Sequence, residues 1–220
     1  MNLLGWIKYL ELVTAIAGII FYRKYSNSNL KYFVYMLWFI VLVEFAIGTL
    51  KQYTEARLQN NYIYNVLTSL QYAYYFFLYY SIITIPRYRQ WVLTFLVMFV
   101  VAVVVNFLWI QKLSVTAAFA SYTFTLGAIL LMMTIALFLV EILNTEKILY
   151  FKNYLMFWIS IGLFVFYTGI IPFVLSINLL PDFLSNDALA IMFFTLNLVM
   201  YSCFTLGFII SRPQVEGLKQ

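Results

Sequence analysis

Apolar runs of about 20 residues recur seven times along the chain, at residues 3–22, 32–50, 62–83, 91–110, 115–139, 154–175 and 188–210, separated by short polar connectors. A helix of that length rises about 1.5 Å per residue and so matches the ~30 Å hydrocarbon core of a bilayer. Lipid offers no partner to free backbone N–H and C=O groups, so each run is predicted to be helical. The connectors carry turn residues: Ser26-Asn27-Ser28-Asn29 after the first run, Pro86 after the third, and Pro181 through Asn186 before the last. Pro172 falls inside the sixth run shortly after Gly169, which predicts a kink there. The opening segment lacks a basic leader and a small-residue cleavage site, so it reads as a retained first helix. The expected fold is therefore all-α: a polytopic seven-transmembrane-helix bundle forming one domain over 1–211, with a short tail at 212–220.

Composition sharpens this picture. The chain is 65% hydrophobic and 10% charged, where an ordinary soluble domain is about 25% charged. Its 22 Phe and 19 Tyr crowd toward the ends of the runs, where amphipathic rings favour the headgroup layer. Seven spans in 220 residues leave no room for a soluble catalytic or nucleic-acid-binding domain. The absence of His removes the usual metal ligand and proton shuttle, and a single Cys203 excludes a disulfide framework. The last run has no Lys to carry retinal, and the only two Asp residues, Asp182 and Asp187, share one connector, so an intramembrane aspartyl protease is also excluded. Pro213-Gln214 lies in the tail, unlike the in-span Pro-Gln of PQ-loop sugar transporters. Neither an enzyme, a metal nor a cofactor is expected.

Charge then gives the orientation. Nine basic residues (Arg23, Lys24, Lys31, Arg87, Arg89, Lys147, Lys152, Arg212 and Lys219) fall on one set of alternate segments. The opposite set holds Lys51, Arg57 and Lys112, or four with Lys8. The positive-inside rule places the amino terminus outside and the carboxyl terminus in the cytoplasm. The net charge of +5 thus answers to an anionic inner leaflet rather than to nucleic acid.

The candidate chemistry lies in polar residues at depth. Glu11 falls about 12 Å below the outer edge and Glu44, on the antiparallel second run, about 9 Å, so the two acids share one level. Lys8 is three residues before Glu11, on the same helix face and in reach of pairing with it. Asn65 and Gln71 on the third run, Asn106 on the fourth and Asn197 near mid-depth on the seventh complete an outward-biased polar set. An acid at depth costs at least ~2.5 kcal/mol on insertion scales, which makes it a functional-site candidate. The bland alternative is that these groups are interhelical glue. Glu141 and Glu146, at the inner end of the fifth run, are expected to be solvated or to lie among lipid headgroups, and Arg87 and Arg89 to anchor to phosphates.

The stretch VEILNTEKILYFKNYLMFWISIGLFVFYTGIIPF at 140–173, followed by NLVMYSCFTLGFIIS at 197–211, resembles a family of small seven-span proteins of Bacteroidota. KYFVYMLWFIVLVEFAIGTL at 31–50, which includes Glu44, is similar to that family as well. The resemblance implies a multi-pass protein of the bacterial inner membrane, and similar membrane modules accompany sensor kinases. It implies no ligand and no reaction. The combined expectation is a receptor-like or sensory module. Glu11, Glu44, Asn65, Gln71, Asn106 and Asn197 would line an outward pocket for a small molecule or ion. Arg87, Arg89, Glu146, Lys147 and Lys152 would face a cytoplasmic signalling protein. The alternative is a small transporter or channel, including a homo-oligomeric pore-forming defence effector.

Overall fold

The computed structural model describes residues 3–53, 60–110, 119–179 and 185–212. Among these the regular structure is helical throughout, with no strand. Seven long helices follow in order: α1 (Ile7–Ile20), α2 (Lys31–Tyr53), α3 (Asn60–Ile82), α4 (Pro86–Val105), α5 (Ser121–Leu143), α6 (Leu155–Leu179) and α7 (Asn186–Ile210). A short 3-10 turn, Leu3–Trp6, leads into α1, and another, Glu146–Asn153, joins α5 to α6. A π-helical turn, Asn106–Ile110, prolongs α4. Helix α4 begins five residues earlier than its apolar run because Pro86, which needs no N–H partner, occupies the first turn. Helix α6 continues past Pro172 to Leu179. Ser185 caps α7, its Oγ accepting the Ala188 N–H at 3.3 Å, with Asp187 in the positive first turn.

Six stretches among the described residues are long and apolar enough to cross a membrane: Leu3–Ile20, Lys31–Thr49, Pro86–Ile110, Ser121–Leu143, Leu155–Val174 and Asp187–Ile210. The chain is a multi-pass helical membrane protein. The expected seventh run, α3, is as long as the others but carries Tyr62, Tyr64, Tyr72, Tyr74, Tyr75, Tyr79 and Tyr80 together with Asn60, Asn61, Asn65 and Gln71. Its phenols and amides lower its hydropathy below that of the other six. Helix α4 shows what lipid does to a surface: Val92, Phe95 and Phe99 are buried, whereas Leu93, Val97, Met98, Val100, Val101 and Val104 are exposed. An apolar face of that size belongs against acyl chains.

The chain divides into two compact units. The first comprises residues 1–45 and 142–220, and the second residues 46–141. In the first unit α1 and α6 pack on α7. The α6 contact is close at Gly207, where an added Cβ would lie 2.8 Å from Trp158 Cβ. The start of α2 joins through Phe33, whose ring meets Phe204 edge-on at 5.3 Å. In the second unit α3 packs on α4 and α5 around Tyr72, Phe76, Tyr79 and Phe99, all buried. Tyr72 lies 5.2 Å from Phe99, and Tyr79 lies 5.6 Å from Phe138.

Candidate functional site

In the first unit a polar seam runs between α1 and α7. Spacings of three and four residues put Glu11 and Thr14 on one face of α1, and Asn197, Tyr201 and Thr205 on one face of α7. The Tyr201 hydroxyl donates to Glu11 Oε1 at 2.9 Å. One turn along, Thr14 Oγ1 and Thr205 Oγ1 are 3.0 Å apart, and Thr14 also reaches the Leu10 carbonyl at 3.0 Å. Gly18 allows the approach: a Cβ there would lie 3.2 Å from Val34 and 3.3 Å from Phe208. Asn197, 4% exposed, donates to the carbonyl of Phe193 on its own helix at 2.8 Å.

Glu11 is only 6% exposed, and its Oε2 has no hydrogen-bond partner. Glu44, half-buried on α2, lies close enough for its carboxyl to interact electrostatically with Glu11. That is consistent with the shared level expected from helix geometry. Lys8 does not take the place expected beside Glu11. Its ammonium sits over the rings of Tyr9 and Phe45, 5.2 and 5.3 Å from their centroids, where aromatic faces substitute for a carboxylate.

The second unit holds Asn65, Gln71 and Asn106. Asn65 is buried and its Oδ1 accepts the Ala120 N–H at 2.8 Å, just before α5 begins. It borders a small cavity with Thr68, Ser69, Tyr72, Phe99 and Thr123, with room for roughly one water molecule. Most of its polar lining is already engaged: Ser69 donates to the Asn65 carbonyl at 2.7 Å, and Tyr72 to the Phe124 carbonyl at 3.0 Å. Gln71 is half-buried on α3, and Asn106 is buried where α4 passes into its π-turn.

Glu141 overturns the expectation of a solvated acid. It lies inside α5, fully buried. Its carboxylate accepts the Thr84 N–H at 3.2 and 3.1 Å, the Thr84 hydroxyl at 2.9 Å and the Ile85 N–H at 3.3 Å. The link between α3 and α4 supplies no side-chain cap of its own at Ile85. An acid from α5 does that work. The only hint in the sequence is that Ile85, directly before Pro86, is not a Ser, Thr, Asp or Asn and so offers α4 no local cap.

The residues expected to face a partner are surface groups. Arg87, Arg89, Glu146 and Lys152 are exposed and Lys147 is half-buried. Arg89 stacks over Tyr80 at 4.2 Å. Arg87 and Arg89 belong to the second unit, the other three to the first. At the same end of the first unit the exit of α7 is tied down. Lys24 donates to the carbonyls of Phe208 and Ile209 at 3.1 and 2.9 Å, satisfying the negative end of the helix. Tyr25 donates to the Phe208 carbonyl at 3.1 Å and bonds Ser211, while the Arg212 N–H reaches the Asn153 carbonyl at 3.1 Å. Burial pushes the Tyr25 phenol above its ordinary value of 10.0, with the Ser211 hydrogen bond acting the other way. Arg57, Lys112 and Lys219, used to orient the chain, and Asp182 lie outside the described residues.

No protein-family model matches the chain, and neither a curated protein nor a solved structure matches it.

Proposed function

We propose that the protein is a receptor-like module of the bacterial inner membrane that reads a small ligand or ion on its outer side and passes the change to a separate cytoplasmic protein. In this reading α3 is a seventh span, with Tyr72, Tyr75 and Tyr79 turned into the second unit rather than to lipid. The amino terminus lies outside, and Arg87, Arg89, Glu146, Lys147 and Lys152 face the partner. The observation that carries the reading is Glu11, a carboxyl nine-tenths buried within a membrane span, held at one oxygen by Tyr201 and unpartnered at the other. A group that costs this much to bury and is left half-satisfied is more economically explained by a ligand than by packing.

Topology is tested in a Cys203→Ser background. Ala188→Cys should react with an impermeant thiol reagent from outside, and Lys147→Cys only after lysis. The reverse pattern overturns the orientation. Function is tested by a photo-cross-linker at position 147 in living cells. A captured cytoplasmic protein whose yield falls in Glu11→Gln and Glu44→Gln, at unchanged membrane abundance, is the expected result. Single-channel currents from the purified protein in planar bilayers, abolished by Glu44→Ala, would replace the receptor by a pore.

A further inference from the structure

The connection between α5 and α6 carries a run that a water-facing loop has no use for. Ile148, Leu149 and Tyr150 are 42, 71 and 61% exposed, three large apolar side chains in succession. Exposed runs of that kind mark a contact surface. Hydrogen bonds fix the depth at which this one lies. At its near end the Thr145 N–H turns back to the Ile142 carbonyl of α5, 3.4 Å away. At its far end the Trp158 indole N–H, in the first turn of α6, donates to the Lys152 carbonyl at 2.9 Å. The Arg212 N–H, two residues beyond α7, donates to the Asn153 carbonyl at 3.1 Å. The segment is thus pinned level with the ends of three helices that are long and apolar enough to cross a membrane. Between the pins, Glu146–Asn153 is 3-10 helical with a bend at Tyr150 (φ −128°, ψ 18°). At ~2 Å of rise per residue, an arch with legs of about four residues climbs ~8 Å. One headgroup layer is about 5–8 Å deep, half the difference between the whole bilayer and its hydrocarbon core. The apolar run therefore stays among the headgroups. Charge agrees with that depth. Lys152 is exposed, with its ammonium 5.8 Å from the centroid of the Phe151 ring, and Arg212, joined to Asn153, is exposed as well.

We propose that Glu146–Asn153 is an anionic-lipid binding surface. Ile148, Leu149 and Tyr150 enter the boundary between headgroups and acyl chains, and Lys152 and Arg212 sit on lipid phosphates. Apolar groups dipping into that boundary beside basic ones are how a segment lies along a membrane, and each basic group near an anionic leaflet adds attraction. With the amino terminus outside, as proposed above, this is the inner leaflet, and a cytoplasmic partner meets Lys147 and its neighbours at headgroup level. The surface itself needs only that α5, α6 and α7 are spans, and it holds for either orientation.

The test uses the full-length protein in a Cys203→Ser background, with a nitroxide on Leu149→Cys or on Glu146→Cys. The nanodiscs are of phosphatidylcholine alone or mixed with phosphatidylglycerol, and they present both membrane faces. Power saturation should find the position 149 nitroxide open to oxygen and severalfold more shielded than that at 146 from a water-soluble nickel chelate. Phosphatidylglycerol should deepen the shielding, and Lys152→Gln with Arg212→Gln should remove that increment while keeping the shielding seen in phosphatidylcholine. If the label at 149 disturbs the loop, Ile148→Cys must give the same ranking against 146. Equal nickel access at 149 and 146 would overturn the proposal, as would an anionic increment that is absent or that survives loss of both basic groups. Shielding lost on removal of residues 213–220 would make the tail the occupant, and shielding confined to discs with two copies would make it a second chain; either result overturns the lipid assignment. Failure of the receptor reading looks different: the nitroxide at 149 would be shielded as expected, yet cross-linking at position 147 would capture no partner.

Discussion

Two buried acids, one in each unit, have opposite lives. Glu141 is fully buried and spends its oxygens on two backbone N–H groups and a hydroxyl in the α3–α4 link. Glu11 is almost as buried but accepts one hydrogen bond and has an oxygen left over. Burial alone therefore does not separate a structural acid from a candidate site. Satisfaction does: a buried carboxylate that caps the backbone stabilises a connection, whereas one left short of donors costs stability and needs another reason to be kept.

The largest expected effect comes from breaking the structural side of this contrast. Glu141→Ala leaves the Thr84 and Ile85 donors without their acceptor and should cost about 2–3 kcal/mol, the scale of charge-assisted hydrogen bonds. A steep fall in the detergent thermal midpoint and faster amide exchange at Thr84 and Ile85 would show it. Glu11→Gln should cost less than about 1 kcal/mol, because it removes an under-satisfied charge and keeps the shape. Equal losses for the two variants would erase the distinction. Tyr201→Phe strips Glu11 of its donor and should cost about 0.6 kcal/mol, the mean for interhelical hydrogen bonds in a membrane; calorimetry beside the Thr205→Val variant would size the whole seam.

The smallest effect is a pH dependence at the α7 terminus. The folded state holds the Tyr25 proton more tightly than the unfolded chain does. The stability tied to that proton is fully present below the ordinary phenol value and is lost as pH rises through the higher folded value. Thermal midpoints should therefore decline above pH 10, and Tyr25→Phe should flatten the decline. An unchanged slope would detach Tyr25 from the clasp.

Helices were legible in the sequence because lipid removes the alternatives: an apolar run of sufficient length has little choice but to be a helix. That reasoning located α1, α2, α6 and α7 closely, but placed the fifth run some residues early, with residues 115–118 lying outside the described set. The displacement hid Glu141, which is inside α5 rather than beyond it. Helix α3 was expected as a span, but its tyrosines, some of them buried against Phe99 and Phe138, keep it out of the six stretches long and apolar enough to cross a membrane. The pairing of levels between Glu11 and Glu44 followed from helical rise alone. The choice of Tyr201 over Lys8 as partner of Glu11 did not, because it depends on which face of α7 meets α1 and on the aromatic pair that claims the lysine.

The most direct measurement is the thermal midpoint of Glu11→Gln and Glu141→Gln, side by side in phosphatidylcholine nanodiscs. The expected result is an unequal pair: Glu11→Gln keeps a near-native midpoint, while Glu141→Gln loses several degrees. A Glu11→Gln protein that unfolds early, beside a Glu141→Gln protein indistinguishable from the native chain, would contradict the account.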